Sequence, residues 1–263
     1  VAGQKAYFIR KGRGKTLVLL HGILASSFVW RRNIDPLARH FDVVAPDIKG
    51  HGRSDKAGRG QFSREGIRAF MMALLDSLGV ERAFLAGHSW GGGIALDLAL
   101  SHPDRVEKVV LLDSTGYPGG NGLAERLLRS RVLPPLLTLL GRPLVRYMLK
   151  KGVFFDRSLV TDEEIDHWLA SARASAPTLP MLRAYDFVMD EEIAKISQPV
   201  LILWGKEDRL MPREMAEHFH RDIRDSTLRV IKNCGHNPQE EKPEEVNQAM
   251  RDFLLDVKGA FSL

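Results

Sequence analysis

The sequence predicts an α/β protein built on a mostly parallel sheet, and three observations carry that prediction. Apolar, β-branched-rich runs recur along the 263 residues, and they are continuous rather than alternating, as expected of strands covered on both faces. The stretches between them carry apolar residues at helical spacing. That alternation stops over 117–190, where helix-like segments replace strands. The expected organisation is a core of 1–116 and 191–263 interrupted by an α-helical cap insertion at 117–190.

The strand runs are TLVLLH (16–21), DVVAP (42–46), AFLAG (83–87), KVVLLD (108–113), PVLILWG (199–205) and TLRVI (227–231). Between the second and third lies a helix over 63–78, with Ile67, Phe70, Met71, Leu74, Leu75 and Leu78 on one face, Ser63 as its cap, Glu65 in its first turn and Gly79 as its stop. GYPGGNG opens the insertion and ISQPVLILWG resumes the sheet. Within the insertion, Pro134, Pro135 and Pro143 are expected to break the chain into short helices less rigid than the sheet, a composition that suits a mobile gate. A closing helix is expected over 243–257, with Pro243 in its first turn. No internal repeat or low-complexity tract interrupts this order.

Composition narrows the function. Cys234 is the only cysteine, which rules out an internal disulfide and a Cys-rich zinc site and fits a reducing compartment, so a cytoplasmic location is the expectation. No run of about 18 uncharged apolar residues is present, and the N-terminus lacks a basic-then-apolar signal pattern. The chain starts at Val1, which leaves room for a leader cut away upstream. The net charge is +5, but the excess is local: over 117–151 stand Arg126, Arg129, Arg131, Arg142, Arg146, Lys150 and Lys151 against Glu125 alone. Leucines (Leu127, Leu128, Leu136, Leu137, Leu139, Leu140) interleave with these charges. One reading is a lid whose apolar face roofs the site and whose basic face meets anionic interfaces or carboxylated substrates; the plainer one is an amphipathic cap with solvated arginines. Without a recognised motif or aromatic platform, this cluster does not make a nucleic-acid module.

GHSWG (87–91) follows a strand run and precedes a helical one, so Ser89 should sit on a sharp strand-to-helix turn with its hydroxyl raised above the sheet edge. Gly87, Gly91, Gly92 and Gly93 supply the room such a turn needs. A serine hydroxyl needs a general base, and the base an orienting acceptor. His236, in NCGHNPQEE, and Asp208, in LWGKEDRLMP, both follow late strands and so fall at the same carboxyl edge of the sheet. Glu207, adjacent to Asp208, and Asp113, ending VVLLD, are rival acids. His21, His51 and His88 flank glycines in tight loops and read as turn-fixing hydrogen-bond residues rather than bases. His218 and His220, spaced by two on a helix, diverge, so no metal site is expected there.

Five motifs in order, LLHGI (19–23), PDIKGHGRSD (46–55), GHSWGG (87–92), LWGKEDRLMP (203–212) and GHNPQEEKPEEV (235–246), make the chain resemble the capped, esterase-like members of the α/β-hydrolase fold superfamily over nearly its whole length. The resemblance implies an eight-stranded-type sheet, a Ser89–His236–Asp208 triad, and an oxyanion hole from the backbone N–H groups of Ile23 and Trp90. The expected activity is that of a serine carboxylesterase acting on a small-molecule ester with apolar groups, with no metal, nucleotide or flavin required. Carbon–carbon bond hydrolases of ring-opened aromatics share the fold but usually carry HGGGPG and a tryptophan after the histidine, where this chain has HGILAS and Asn237. Perhydrolase activity uses the same triad. Epoxide hydrolases and dehalogenases use an aspartate where this chain has Ser89. A ligand receptor of the same fold is the non-enzymatic alternative.

Overall fold

The computed structural model describes residues 3–56, 62–118, 133–176, 178 and 189–257, without the side chains of 133–135 and 137–138. Seven strands are described: β1 (Phe8–Gly12), β2 (Thr16–Leu20), β3 (Asp42–Pro46), β4 (Ala83–His88), β5 (Val106–Leu112), β6 (Val200–Gly205) and β7 (Ser226–Ile231). They form one sheet in the order β1-β3-β2-β4-β5-β6-β7, antiparallel at β1–β3 and parallel elsewhere. This is one strand fewer than the eight-stranded type. β1 escapes a search for apolar runs because it is an edge strand of sequence FIRKG with no fully buried residue, free of the two-sided cover that makes the inner strands apolar.

Period-two geometry divides each inner strand between two cores. On β2, Val18 and Leu20 face one side with the helices α2 (Arg64–Ser77) and α3 (Trp90–Ser101), while Leu17 and Leu19 face the other with α1 (Arg31–Leu37) and the closing helix at Pro243–Leu254. All five residues of β2 are buried, and each fully buried leucine is worth roughly 2 kcal/mol of removed apolar surface. α2 follows the expected pattern: the Ser63 hydroxyl accepts from the Gly66 N–H at 3.1 Å, and Gly79 ends it at φ +69.

Between β5 and β6 the regular elements among the described residues are helical, the longer of them α4 (Leu133–Met148) and α5 (Asp162–Ser175), followed by the short α6 (Asp190–Ile193). The break expected at the prolines falls instead at Gly141, at φ 48 and ψ −125, with Pro143 two residues on and Pro134 and Pro135 within the first turn of α4. Glycine provides the left-handed conformation, and the proline suits the restarting turn. Two arginines expected in solvent are paired: Arg142 and Arg146 meet Asp162 at 2.8 and 2.7 Å, and Arg142 also meets Asp166. Gly119, Gly120 and Gly122 of GYPGGNG, with Leu123, Leu127, Leu128, Arg126, Arg129 and Arg131, lie outside the described residues, as does the side chain of Leu137. After β6 come α7 (Arg213–Asp222), α8 (Pro238–Glu241) and α9 (Pro243–Leu254). No helix among the described residues is long and apolar enough to cross a membrane.

Strand order reverses about β2, which pairs with both β3 and β4. Beyond the carboxyl ends of β2 and β4 lies the crevice where open parallel sheets gather ligand-handling groups.

Candidate active site

Ser89 follows the last residue of β4 and precedes the first of α3, at φ 53 and ψ −120. An L-residue there is strained by about 1–3 kcal/mol, so the surroundings must hold it. They do: the Ser89 N–H donates to Leu112 at 2.8 Å, and its carbonyl accepts from Gly92 and Thr115 at 2.9 and 3.1 Å. Close approach explains the glycines. A Cβ on Gly87 would stand 2.3 Å from the Gly91 carbonyl oxygen, and one on Gly91 2.3 Å from that of Leu20. The Ser89 side chain is buried.

His236 sits in the loop between β7 and α8, 6 % exposed. Its Nδ1 lies 2.8 Å from Asp208 Oδ2. The other oxygen of Asp208 accepts the N–H groups of Leu210 and Met211 at 2.7 and 3.1 Å. Burial opposes the Asp208 charge, but the facing His236 ring and these bonds hold its pKa below the usual carboxylate value. Glu207 is directed elsewhere, accepting the Cys234 N–H at 3.0 Å. The structure thus brings His236 to Asp208 and not to Glu207.

The His236 loop is tied to its neighbours. His88, beside Ser89, donates from Nε2 to the His236 carbonyl at 2.7 Å, and the two rings lie 4.9 Å apart. Burial, and then the His236 ring, push the His88 pKa down to about 3, so it is a neutral donor. Glu241 accepts from Gly235, Phe155 and Asp156 at 2.8 to 3.0 Å, joining the loop to the helical segment, and the His236 N–H reaches the Val153 carbonyl at 2.8 Å.

On the far side of Ser89, His21 fixes the loop carrying Ile23. Its Nε2 accepts the Ile48 N–H at 2.9 Å, which leaves Nδ1 to donate to the Gly22 carbonyl at 2.7 Å. A Cβ on Gly22 would meet the Ser89 Cβ at 3.2 Å, which brings this loop against the serine. The Trp90 ring stacks on Phe62 at 5.7 Å and lies 5.1 Å from His51.

Two features were harder to find by sequence. Asp113, at the end of β5, has ligand-type atoms within 4.8 Å of those of Asp208 and His236. This is the one described group with the spacing to hold a metal ion, yet its Asp208 Oδ2 and His236 Nδ1 are engaged with each other. The second is a buried charge cluster: Arg31 bridges Glu164 on α5 and Glu240 on α8. Trp168 Nε1 donates to Glu164 at 3.0 Å and Asn237 Nδ2 to Glu240 at 2.7 Å. Burial, then the nearby Glu164 charge, raises the Glu240 pKa to about 8 against the pull of Arg31. A shallow groove of about 630 Å³, lined by Arg142, Pro143, Arg146, Tyr147, Lys150 and Lys151, lies on the outer helices and shares no residue with this site.

The chain is 31% identical over 272 residues to a 2-hydroxy-6-oxo-6-phenylhexa-2,4-dienoate hydrolase of Burkholderia cepacia, covering 93% of this chain and 89% of that one. It is 30% identical over 251 residues to an uncharacterized hydrolase of Bacillus subtilis (strain 168), covering 91% and 90%. Among solved structures, a thermophilic esterase from Thermogutta terrifontis superposes with a TM-score of 0.81 at 26% identity, over 97% of this chain and 94% of that one. A family model described as the alpha/beta hydrolase fold matches residues 15–243, and the chain belongs to that family.

Proposed function

We propose that the chain is a serine carboxylesterase in which Ser89 is the nucleophile, His236 the general base and acid, and Asp208 the acceptor that orients the ring. One observation carries the reading: the buried His236 Nδ1 to Asp208 Oδ2 contact of 2.8 Å, in a loop strapped to the Ser89 turn. With Nδ1–H committed to Asp208, Nε2 is the nitrogen left to take a proton. As the Ser89 oxygen attacks the ester carbonyl, His236 Nε2 accepts the hydroxyl proton. The tetrahedral oxyanion is held by the backbone N–H groups of Ile23 and Trp90, the second at the start of α3 where the helix dipole favours an anion. The C–O bond to the alcohol breaks as Nε2 returns the proton to it. Water, deprotonated by the same nitrogen, then releases the acid from Ser89. The segment 117–190 acts as a cap over the serine, and its apolar side favours apolar acyl or alcohol groups.

A second reading is hydrolysis of a carbon–carbon bond in a ring-opened aromatic, favoured by the full-length similarity to the dienoate hydrolase. The same serine and histidine would serve there.

The test is a fluorophosphonate label followed by peptide mapping, with turnover of p-nitrophenyl acyl esters set against a 2-hydroxy-6-oxo-dienoate. Labelling at Ser89, ester turnover and loss of both in Ser89→Ala support the first reading. Turnover of the dienoate alone replaces it with the second, and a label elsewhere rejects both.

A further inference from the structure

Asp113 is wholly buried and enters the loop after β5 at φ +44, a conformation that costs a non-glycine residue energy. Its backbone N–H extends the β5–β6 ladder, donating to Leu203 at 3.2 Å. Its Oδ1 accepts the Gly205 N–H at 3.0 Å, and the Gly205 carbonyl in turn accepts the Asp208 N–H at 3.2 Å. Asp113 therefore reaches the backbone of the turn that presents Asp208. Its other oxygen, Oδ2, is buried with no acceptor role filled.

An ionised carboxylate with one oxygen stranded in that position would be costly. Proximity to Asp208 makes the cost greater, because two carboxylates this close cannot both be charged. Asp208 is the better anion of the two, since it already receives His236 and two backbone N–H groups, whereas Asp113 receives Gly205 alone. A proton on Oδ2 resolves both problems, because it turns the stranded oxygen into a donor on a carboxyl group that lies within 4.8 Å of the Asp208 carboxylate. The remaining groups around it point the same way: the Glu241 carboxylate opposes a second negative charge, and the Cys234 thiol is pushed up by its own burial. Burial first, and the Asp208 charge second, raise the Asp113 pKa well above the carboxylate range.

We propose that Asp113 is a positioning residue, held as a carboxylic acid whose O–H donates to Asp208, so that Asp208 faces His236 as half of a carboxyl–carboxylate pair. The proposal rests on the esterase reading for its catalytic meaning but on Asp113 itself for its protonation. Through this bond Asp113 fixes the rotation of the Asp208 carboxylate and withdraws part of its charge. Asp208 therefore presents the His236 ring with less negative charge than a lone buried carboxylate would.

The test compares Asp113→Asn and Asp113→Leu with the wild type, by the pH profile of kcat/KM on a p-nitrophenyl ester and by infrared difference spectroscopy of the carboxylic-acid carbonyl. Asparagine keeps a neutral donor toward Asp208, so the acidic limb is expected to stay in place while the carboxylic-acid band disappears. Leucine removes the donor, so the limb is expected to move up by about one pH unit, tenfold in proton affinity. The opposite sign overturns the proposal: if Asp113 is ionised in the wild type, Asp113→Asn removes a negative charge, lowers the limb and removes no carboxylic-acid band. Should Asp113→Leu fail to fold, the asparagine variant and the infrared band still decide. Ester turnover that survives Ser89→Ala would reject the esterase reading while leaving the band, and hence the protonation of Asp113, to be read separately.

Discussion

The imidazole of His88 is hydrogen-bonded to the backbone carbonyl of His236 at 2.7 Å, although 148 residues separate them in the chain. One end of this strap is covalently next to Ser89 and the other belongs to the proposed base, so it sets the spacing between them. Replacing His88 with alanine should lower kcat by about ten- to a hundredfold, the scale of a misplacement near 1 Å. Because His88 is neutral, with its pKa near 3, the acidic limb of the pH–rate profile should not move. A limb that moved with the substitution would mean that His88 titrates in the reaction.

Asp208 and Glu207 are neighbours with different targets, so their removal should differ sharply. Asp208→Asn should reduce kcat by about 10⁴-fold through the wrong histidine tautomer. Glu207→Gln should leave kcat near the wild-type value and lower stability modestly, through the Cys234 N–H it holds. Steady-state kinetics alongside urea unfolding separates the two effects.

Crowding at the Ser89 turn is a backbone matter and should not yield to repacking. Gly91→Ala would drive a Cβ to 2.3 Å from the Leu20 carbonyl oxygen, and a loss of more than about 3 kcal/mol, or failure to fold, is expected. Gly79→Ala makes the contrast. Its position also has positive φ, but nothing lies within 4 Å of the new Cβ, so only the left-handed penalty of about 1–2 kcal/mol applies. Urea midpoints of the two variants measure the difference.

The Arg31, Glu164 and Glu240 cluster makes stability depend on pH. Glu240 has a pKa of about 8 in the folded protein and an ordinary carboxylate value when unfolded. Between those values the folded state holds a proton that the unfolded state releases, so this group's stabilising contribution is present at low pH and declines as pH rises toward 8. Glu240→Gln should flatten that decline, seen as a smaller fall in Tm between pH 5 and pH 8. A wild-type Tm that rises across the same window, matched by the variant, would refute the assignment.

How much of this the sequence disclosed follows from the range of each interaction. The five inner strands, β2 to β6, were legible because cover on both faces makes them largely apolar, as in the five-residue β2, and the far edge β7 was legible through its β-branched run. The cap at Ser63 and the stop at Gly79 were legible because they are local backbone chemistry. The shared edge of Asp208 and His236 followed from each coming after a parallel strand. β1 was hidden by its exposure, and the helix break was placed at proline when Gly141, the first residue of the second half of α4, takes the left-handed turn. Least legible were contacts whose partners lie far apart in the chain: Arg31 meets Glu240 across 209 residues, and no spacing rule pairs an arginine with two glutamates. Asp113 was visible as an acid near the site, but only its stranded oxygen distinguishes a donor from an acceptor.

Ser89 keeps a backbone shape, φ 53 with ψ −120, that glycine would adopt at little cost. A chain shaped by robustness alone would drift toward glycine at this position and gain tolerance to heat as it lost its hydroxyl. The stress at residue 89 is therefore a reserve that screening for thermal resistance would tend to release, and libraries enriched on melting temperature without a turnover readout should accumulate silent, hardened proteins altered at this position.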